Sequence, residues 1–95
     1  MAAYVILDVE ITDRAAYEDY KTRAGAALAR YGGRFLVRGG TAEVVEGEWT
    51  PNRIVVLEFE SADRARQWYA SPEYAEAKEI RLAASRGNMI LVEGV

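Results

Sequence analysis

Four runs of alternating apolar residues, interleaved with two helix-patterned stretches in the order βαββαβ, leave this chain few ways to fold. Residues 3 to 11, AYVILDVEI, set Val5, Leu7 and Val9 on one side and Tyr4, Ile6, Asp8 and Glu10 on the other, which is the two-residue period of a strand. Asp13 is placed to cap a helix over roughly 14 to 31, where Tyr17, Tyr20, Ala24, Leu28 and Tyr31 recur at three- and four-residue steps. Gly32 and Gly33 stop it. RFLVR (34–38) reads as a second strand that Gly39 and Gly40 bend or bulge, with TAEVVEGEW (41–49) expected to continue it and Gly47 to Asn52 to turn. RIVVLEFE (53–60) is the third strand, with Val55, Leu57 and Phe59 on one face and Ile54, Val56 and Glu58 on the other. Ser61 starts a second helical stretch that Ser71 and Pro72 restart, with Glu73 near its positive end, expected to run to about Arg86 and to close at Gly87. NMILVEGV (88–95) is the last strand.

This order predicts an α+β, ferredoxin-like domain over residues 1–95, an antiparallel four-stranded sheet of order 4-1-3-2 with both helices on one side. The uniformly apolar set Val5, Leu7, Val9, Val55, Leu57, Phe59, Ile90 and Val92 is expected beneath the helices. The opposite face then carries Ile6, Leu36, Ile54, Val56, Met89 and Leu91, mixed with Arg34, Arg38, Asp8, Glu58 and Glu93, which is more apolar surface than a monomer usually exposes. A 95-residue chain removes only about 60 to 65% of its extended surface from water, so further burial is valuable. At about 25 cal/mol per Å², covering this face stabilises each subunit by several kcal/mol. The expected arrangement is a homodimer with two sheets packed face to face around a chamber.

Twelve Lys and Arg against fifteen Asp and Glu give a net charge of −3, which argues against a nucleic-acid partner. There is no cysteine and no histidine, so disulfides, thiolate nucleophiles, Ser-His-Asp triads and the usual zinc and haem ligands are all excluded. Catalysis is left to carboxylates, tyrosines and arginines. The acids Asp63, Glu73, Glu76 and Glu79 read as solvated helix faces, so no metal and no cofactor is expected. The apolar run near the start breaks at Asp8, too early for a secretory core or a spanning helix, and the expected location is cytoplasmic without membrane association.

The strand directions predict who meets in the chamber. Arg34, at the start of the second strand, falls near Glu58, late in the third; Arg38 lies toward Ile54 and, one strand further, Asp8; Glu93 approaches Tyr4. Arg34 and Arg38 carry forked donors suited to a carboxylate or enolate, or alternatively neutralise Glu58 and Asp8. A desolvated Glu58 can act as a base, and an arginine gripping it weakens that role. Trp49, Trp68, Tyr69 and Tyr74 offer flat apolar walls with polar tips for a ligand. Trp68 is at helical spacing from Ala65 and fits a core position equally; Trp49, on a turn, is harder to place in a core. The glycine pairs lack the spacing of a phosphate-binding loop. Gly25, inside the first helix, is expected to mark a close approach to the sheet.

The pieces YGGRFLVRGG (31–40), EGEWTPNR (46–53), EFES (58–61) and WYASPEY (68–74), followed by Arg81 and a closing VEGV, resemble the bacterial domain-of-unknown-function 1330 family across nearly the whole chain. The resemblance implies membership of the dimeric α/β-barrel superfamily, two ferredoxin-like subunits packed sheet to sheet. Superfamily relatives include cofactor-independent monooxygenases, lactone isomerases, haem-handling enzymes and ligand-binding modules; those needing a proximal histidine are excluded here. Two readings follow. One is a dimer binding a small acidic or aromatic ligand through Arg34, Arg38, Asp8, Trp49, Trp68, Tyr69 and Tyr74. The other is an isomerase or monooxygenase with Glu58 as base and the arginines as anion stabilisers. Purely structural association is a third class, if side chains fill the chamber.

Overall fold

A computed structural model describes all of residues 1–95, in the order β1 (Ala3–Ile11), α1 (Arg14–Arg30), β2 (Arg34–Arg38), β3 (Arg53–Phe59), α2 (Ala62–Tyr69), α3 (Pro72–Ala84) and β4 (Ser85–Glu93). The sheet is antiparallel throughout, in the order β2-β3-β1-β4, which is the expected 4-1-3-2 read from its other edge. All three helices lie on one side of this α+β, ferredoxin-like fold. No helix is long and apolar enough to cross a membrane.

Each helix begins where a short polar side chain satisfies a free backbone N–H. Asp13 accepts from the Ala16 amide, Ser61 from Arg64 and Ser71 from Tyr74, with Pro72 supplying a first-turn residue that has no N–H to satisfy. The 17-residue α1 ends as Gly32 turns to a positive φ of 72° and the amides of Gly32 and Gly33 return to the carbonyls of Ala29 and Leu28. The inner stripes of the helices, chiefly Tyr17, Tyr20, Leu28, Trp68 and Tyr74, pack on Val5, Leu7, Val9, Val55, Leu57 and Phe59 as one buried core.

Four expectations about the chain's course are corrected. Residues 39 to 52 form no strand, and TAEVVEGEW does not extend β2. The last helix stops at Ala84, not Arg86, and passes into β4 without a loop. Ser85 is already extended, and its hydroxyl donates to the Arg81 carbonyl at 2.6 Å. Gly87 therefore sits inside β4 opposite Val9, where a Cβ would collide with the backbone of Asp8 and Val9. Gly25 marks no close approach, since a Cβ built there meets nothing within 4 Å.

The register of β4 is the fourth correction and the one with most consequence. Leu91 pairs with Val5 and Met89 with Leu7, so these two lie on the helix side; Ile90 pairs with Ile6 and Val92 with Tyr4, so they lie on the open side. Ile90 is 55% and Val92 41% exposed. Glu93 pairs with Ala3, not Tyr4, and turns toward the start of α2. The helix-free face is therefore as apolar as expected, but with Ile90 and Val92 supplying what had been assigned to Met89 and Leu91.

Candidate functional site

Three strands bring Tyr4, Ile6, Ile54, Val56, Ile90 and Val92 together on the open face, with Val37 joining from β2 opposite Val56. Its charged groups are already partnered within the chain. Arg34 and Glu58 are register partners, and Arg34 Nε donates to Glu58 Oε1 at 2.6 Å. Asp8 uses both carboxylate oxygens. Oδ1 accepts from the Asn52 amide at 2.9 Å and Oδ2 from the indole N–H of Trp49 at 3.1 Å, which pins the end of the 39–52 loop over that corner of the sheet. Trp49 itself remains 60% exposed.

Arg38 does not reach Asp8. A bulge between Phe35 and Val37 shifts the β2 register by one residue, so that Arg38 pairs with Val55 and turns to the helix side. There its guanidinium lies over the Phe35 ring, 4.3 Å from the centroid. Trp68 and Tyr74 are also on the helix side, both fully buried, with ring centroids 4.3 Å apart. The expected chamber set is thus divided. Arg34, Glu58, Asp8 and Trp49 belong to the open face, whereas Arg38, Trp68 and Tyr74 belong to the layer between helices and sheet. Tyr69 is half exposed, capped by Lys78 Nζ at 4.2 Å from its ring, and borders a hollow of about 280 Å³ that also touches Trp68 and Met89.

Between α1 and the sheet the core leaves a small cavity of about 30 Å³, bounded mostly by apolar side chains such as Leu7, Leu57, Phe35, Trp68 and Met89. Its polar lining comes from Tyr17, Tyr20, Lys21, Arg38 and Arg53. A single water needs roughly 10 to 15 Å³, so the space admits a small group. Trp68 contributes to the lining, and its indole N–H is buried without a hydrogen-bond partner. Such an orphan donor costs about 1 to 3 kcal/mol. Behind it, Tyr20 and Tyr74 share a hydrogen bond of 2.9 Å and Arg81 Nε donates to the Tyr74 hydroxyl at 3.3 Å. Burial, reinforced by Tyr74, pushes the Tyr20 phenol far above its ordinary range, so it stays neutral. Burial also raises Tyr17, with Arg53 pulling the other way through its charge and a 3.4 Å hydrogen bond. No group of three or more carboxylates gathers where it could hold a metal ion.

Arg53, Tyr17, Tyr20 and Arg81 were not among the candidate residues. Arg53 was findable, because it shares the alternation of Val55 and Leu57 and so had to face the helices. Tyr17 and Tyr20 were legible as core, and their placement beside a cavity was not.

The family model for domain of unknown function 1330 (DUF1330) matches residues 2–95. The chain belongs to the DUF1330 family. Solved structures similar to this DUF1330 protein share its fold at low identity. A protein of unknown function from Rhodopseudomonas palustris superposes with a TM-score of 0.82 at 19% identity, covering 99% of this chain and 82% of that one. SnoaB, a cofactor-independent oxygenase from Streptomyces nogalater, gives 0.65 at 18% identity, covering 99% and 92%. A dimeric ferredoxin-like protein of unknown function from Jannaschia sp. CCS1 gives 0.66 at 16% identity, covering 99% and 100%. Among curated proteins none matches the DUF1330 chain.

Proposed function

We propose that this DUF1330 protein is a small-molecule-binding homodimer. The observation that carries the binding role is the apolar cavity between α1 and the sheet, in a core where close packing leaves few voids. A ligand group entering there supplies the missing packing contacts.

The second copy follows from the open face. Its aliphatic side chains from β1, β3 and β4 are covered by no element of this chain, Arg34 and Glu58 pair with each other, and both Asp8 oxygens are hydrogen-bonded by Trp49 and Asn52, so a like surface packs against it without leaving these groups unpartnered. The dimeric state of the Jannaschia protein, which has the same fold, supports this partner over any other. Binding without turnover is favoured because Glu58, the candidate base, is held by Arg34 at 2.6 Å.

Native mass spectrometry of protein purified from its source tests the reading. The expected species is twice the chain mass with a small organic adduct that is lost on denaturation. A dimer free of adduct at every loading argues against the binding role, and a monomer at micromolar concentration argues against the assembly.

A further inference from the structure

We infer that the ligand is an anion with a compact apolar body, its carboxylate held by Arg38 and Arg53 at the edge of the cavity between α1 and the sheet. This rests on the small-molecule reading above and adds the chemical class.

The case begins with who is paired. Lys21, Arg23, Arg30, Arg34, Arg66 and Arg86 each have a carboxylate within 4 Å. Arg14, Arg38, Arg53, Arg64, Lys78 and Arg81 have none, and of these six only Arg38 and Arg53 line the cavity between α1 and the sheet. They arrive there by local structure. The bulge in β2 turns Arg38 to the helix side, and the next residue, Gly39, takes a φ of +75° that side-chain-bearing residues rarely adopt. Arg53 lies across that glycine, where a Cβ would come within 2.8 Å of its Nε. The glycine thus lets the second guanidinium settle beside the strand that carries the first.

Each guanidinium is also held in place from one side only. Arg38 rests on the Phe35 ring, and Arg53 lies 5.6 Å from the Tyr17 ring centroid while donating to its hydroxyl. Neither guanidinium has an acid beside it, so both forks are free to offer charge-assisted hydrogen bonds to a carboxylate at the cavity edge. Lys21, the third cation of the lining, is already matched to Glu18 at 3.1 Å and does not compete. The size of the cavity limits the body that follows the carboxylate to a ring edge or a short chain.

Benzoate and its uncharged isostere benzamide are suitable probes, titrated by calorimetry and by amide chemical shifts at low salt into the intact protein. Benzoate is expected to bind at least about tenfold more tightly than benzamide, with shifts clustered at Arg38, Arg53 and Phe35. Arg38→Gln and Arg53→Gln should each weaken benzoate about tenfold and leave benzamide unchanged, while Arg86→Gln alters neither. Arg38 is exposed, so its replacement tests the idea even if the Arg53 variant fails to fold. Equal affinity for the two probes overturns the anion assignment and leaves the binding role standing. Benzoate affinity unchanged in the Arg38 variant, or no benzoate binding at all, overturns the assignment as well; the adduct measured on source protein judges the binding role separately.

Discussion

The hydroxyls of Tyr20 and Tyr74 meet at 2.9 Å in the buried layer, and through them α1 is joined to α3. Arg81, itself buried, has Tyr74 as its side-chain partner. Tyr74→Phe removes one oxygen and leaves two buried groups short of a partner. We expect it to cost about 1 to 3 kcal/mol, measured by urea denaturation. A loss below a few tenths of a kcal/mol means the hydroxyls are solvated in the folded protein.

The same tyrosines fix the alkaline limit of stability. Tyr20 and Tyr17 have folded-state pKa values above the ordinary 10.0, chiefly through burial, so the folded protein keeps protons that the unfolded chain gives up. Their contribution is fully present below pH 10 and is lost as pH climbs beyond it. Thermal melts should therefore hold steady from neutral pH to about pH 10 and then fall, and Tyr20→Phe should make the fall shallower. An unaltered slope in that variant contradicts the assignment.

Gly25 lies within α1 with open space around the position of its missing Cβ. Alanine there keeps the helix and reduces the freedom of the unfolded chain. Gly25→Ala is expected to stabilise by about 0.5 to 1 kcal/mol, visible as a rise of a few degrees in the melting temperature.

The open face offers a sharper test of assembly. Ile90→Glu together with Val56→Glu places two carboxylates on it, and buried in a sheet-to-sheet contact they would be unpaired. Sedimentation should show a mass of about twice the chain for the native protein and a folded single chain for the variant at the same micromolar concentration. Identical sedimentation of the two proteins would exclude this face as the contact.

Asp8 carries the 39–52 loop by two hydrogen bonds, and Asp8→Ala removes both. The sheet should survive, since Asp8 is not part of the buried core. Amide exchange at Asn52 should accelerate by about tenfold or more, and the loop should become a preferred protease site. Unchanged exchange would show that the loop is held by other contacts.

Several of these features were legible in the sequence, for identifiable reasons. Element order, caps and the Arg34–Glu58 pair follow from local chemistry and from strand direction alone. The phase of β4 does not, because Met89, Ile90, Leu91 and Val92 are all apolar and alternation cannot choose between two equally greasy faces. Arg38 was assigned to the wrong side because a bulge adds one residue without any mark beyond the glycines that follow it. Trp68 could be read as core or as ligand wall. It is fully buried and also borders a cavity, a combination that spacing does not express.

The seamless passage from Ala84 into Ser85 makes the helix α3 a ruler for the strand that follows. With no slack between them, one added residue at this junction rotates β4 by half a period. Ile90 and Val92 would then be driven under the helices, Met89 and Leu91 turned outward, and Gly87 moved away from the backbone it was shaped to meet. Length variation among kindred chains should accordingly collect in the 39–52 loop and spare this joint.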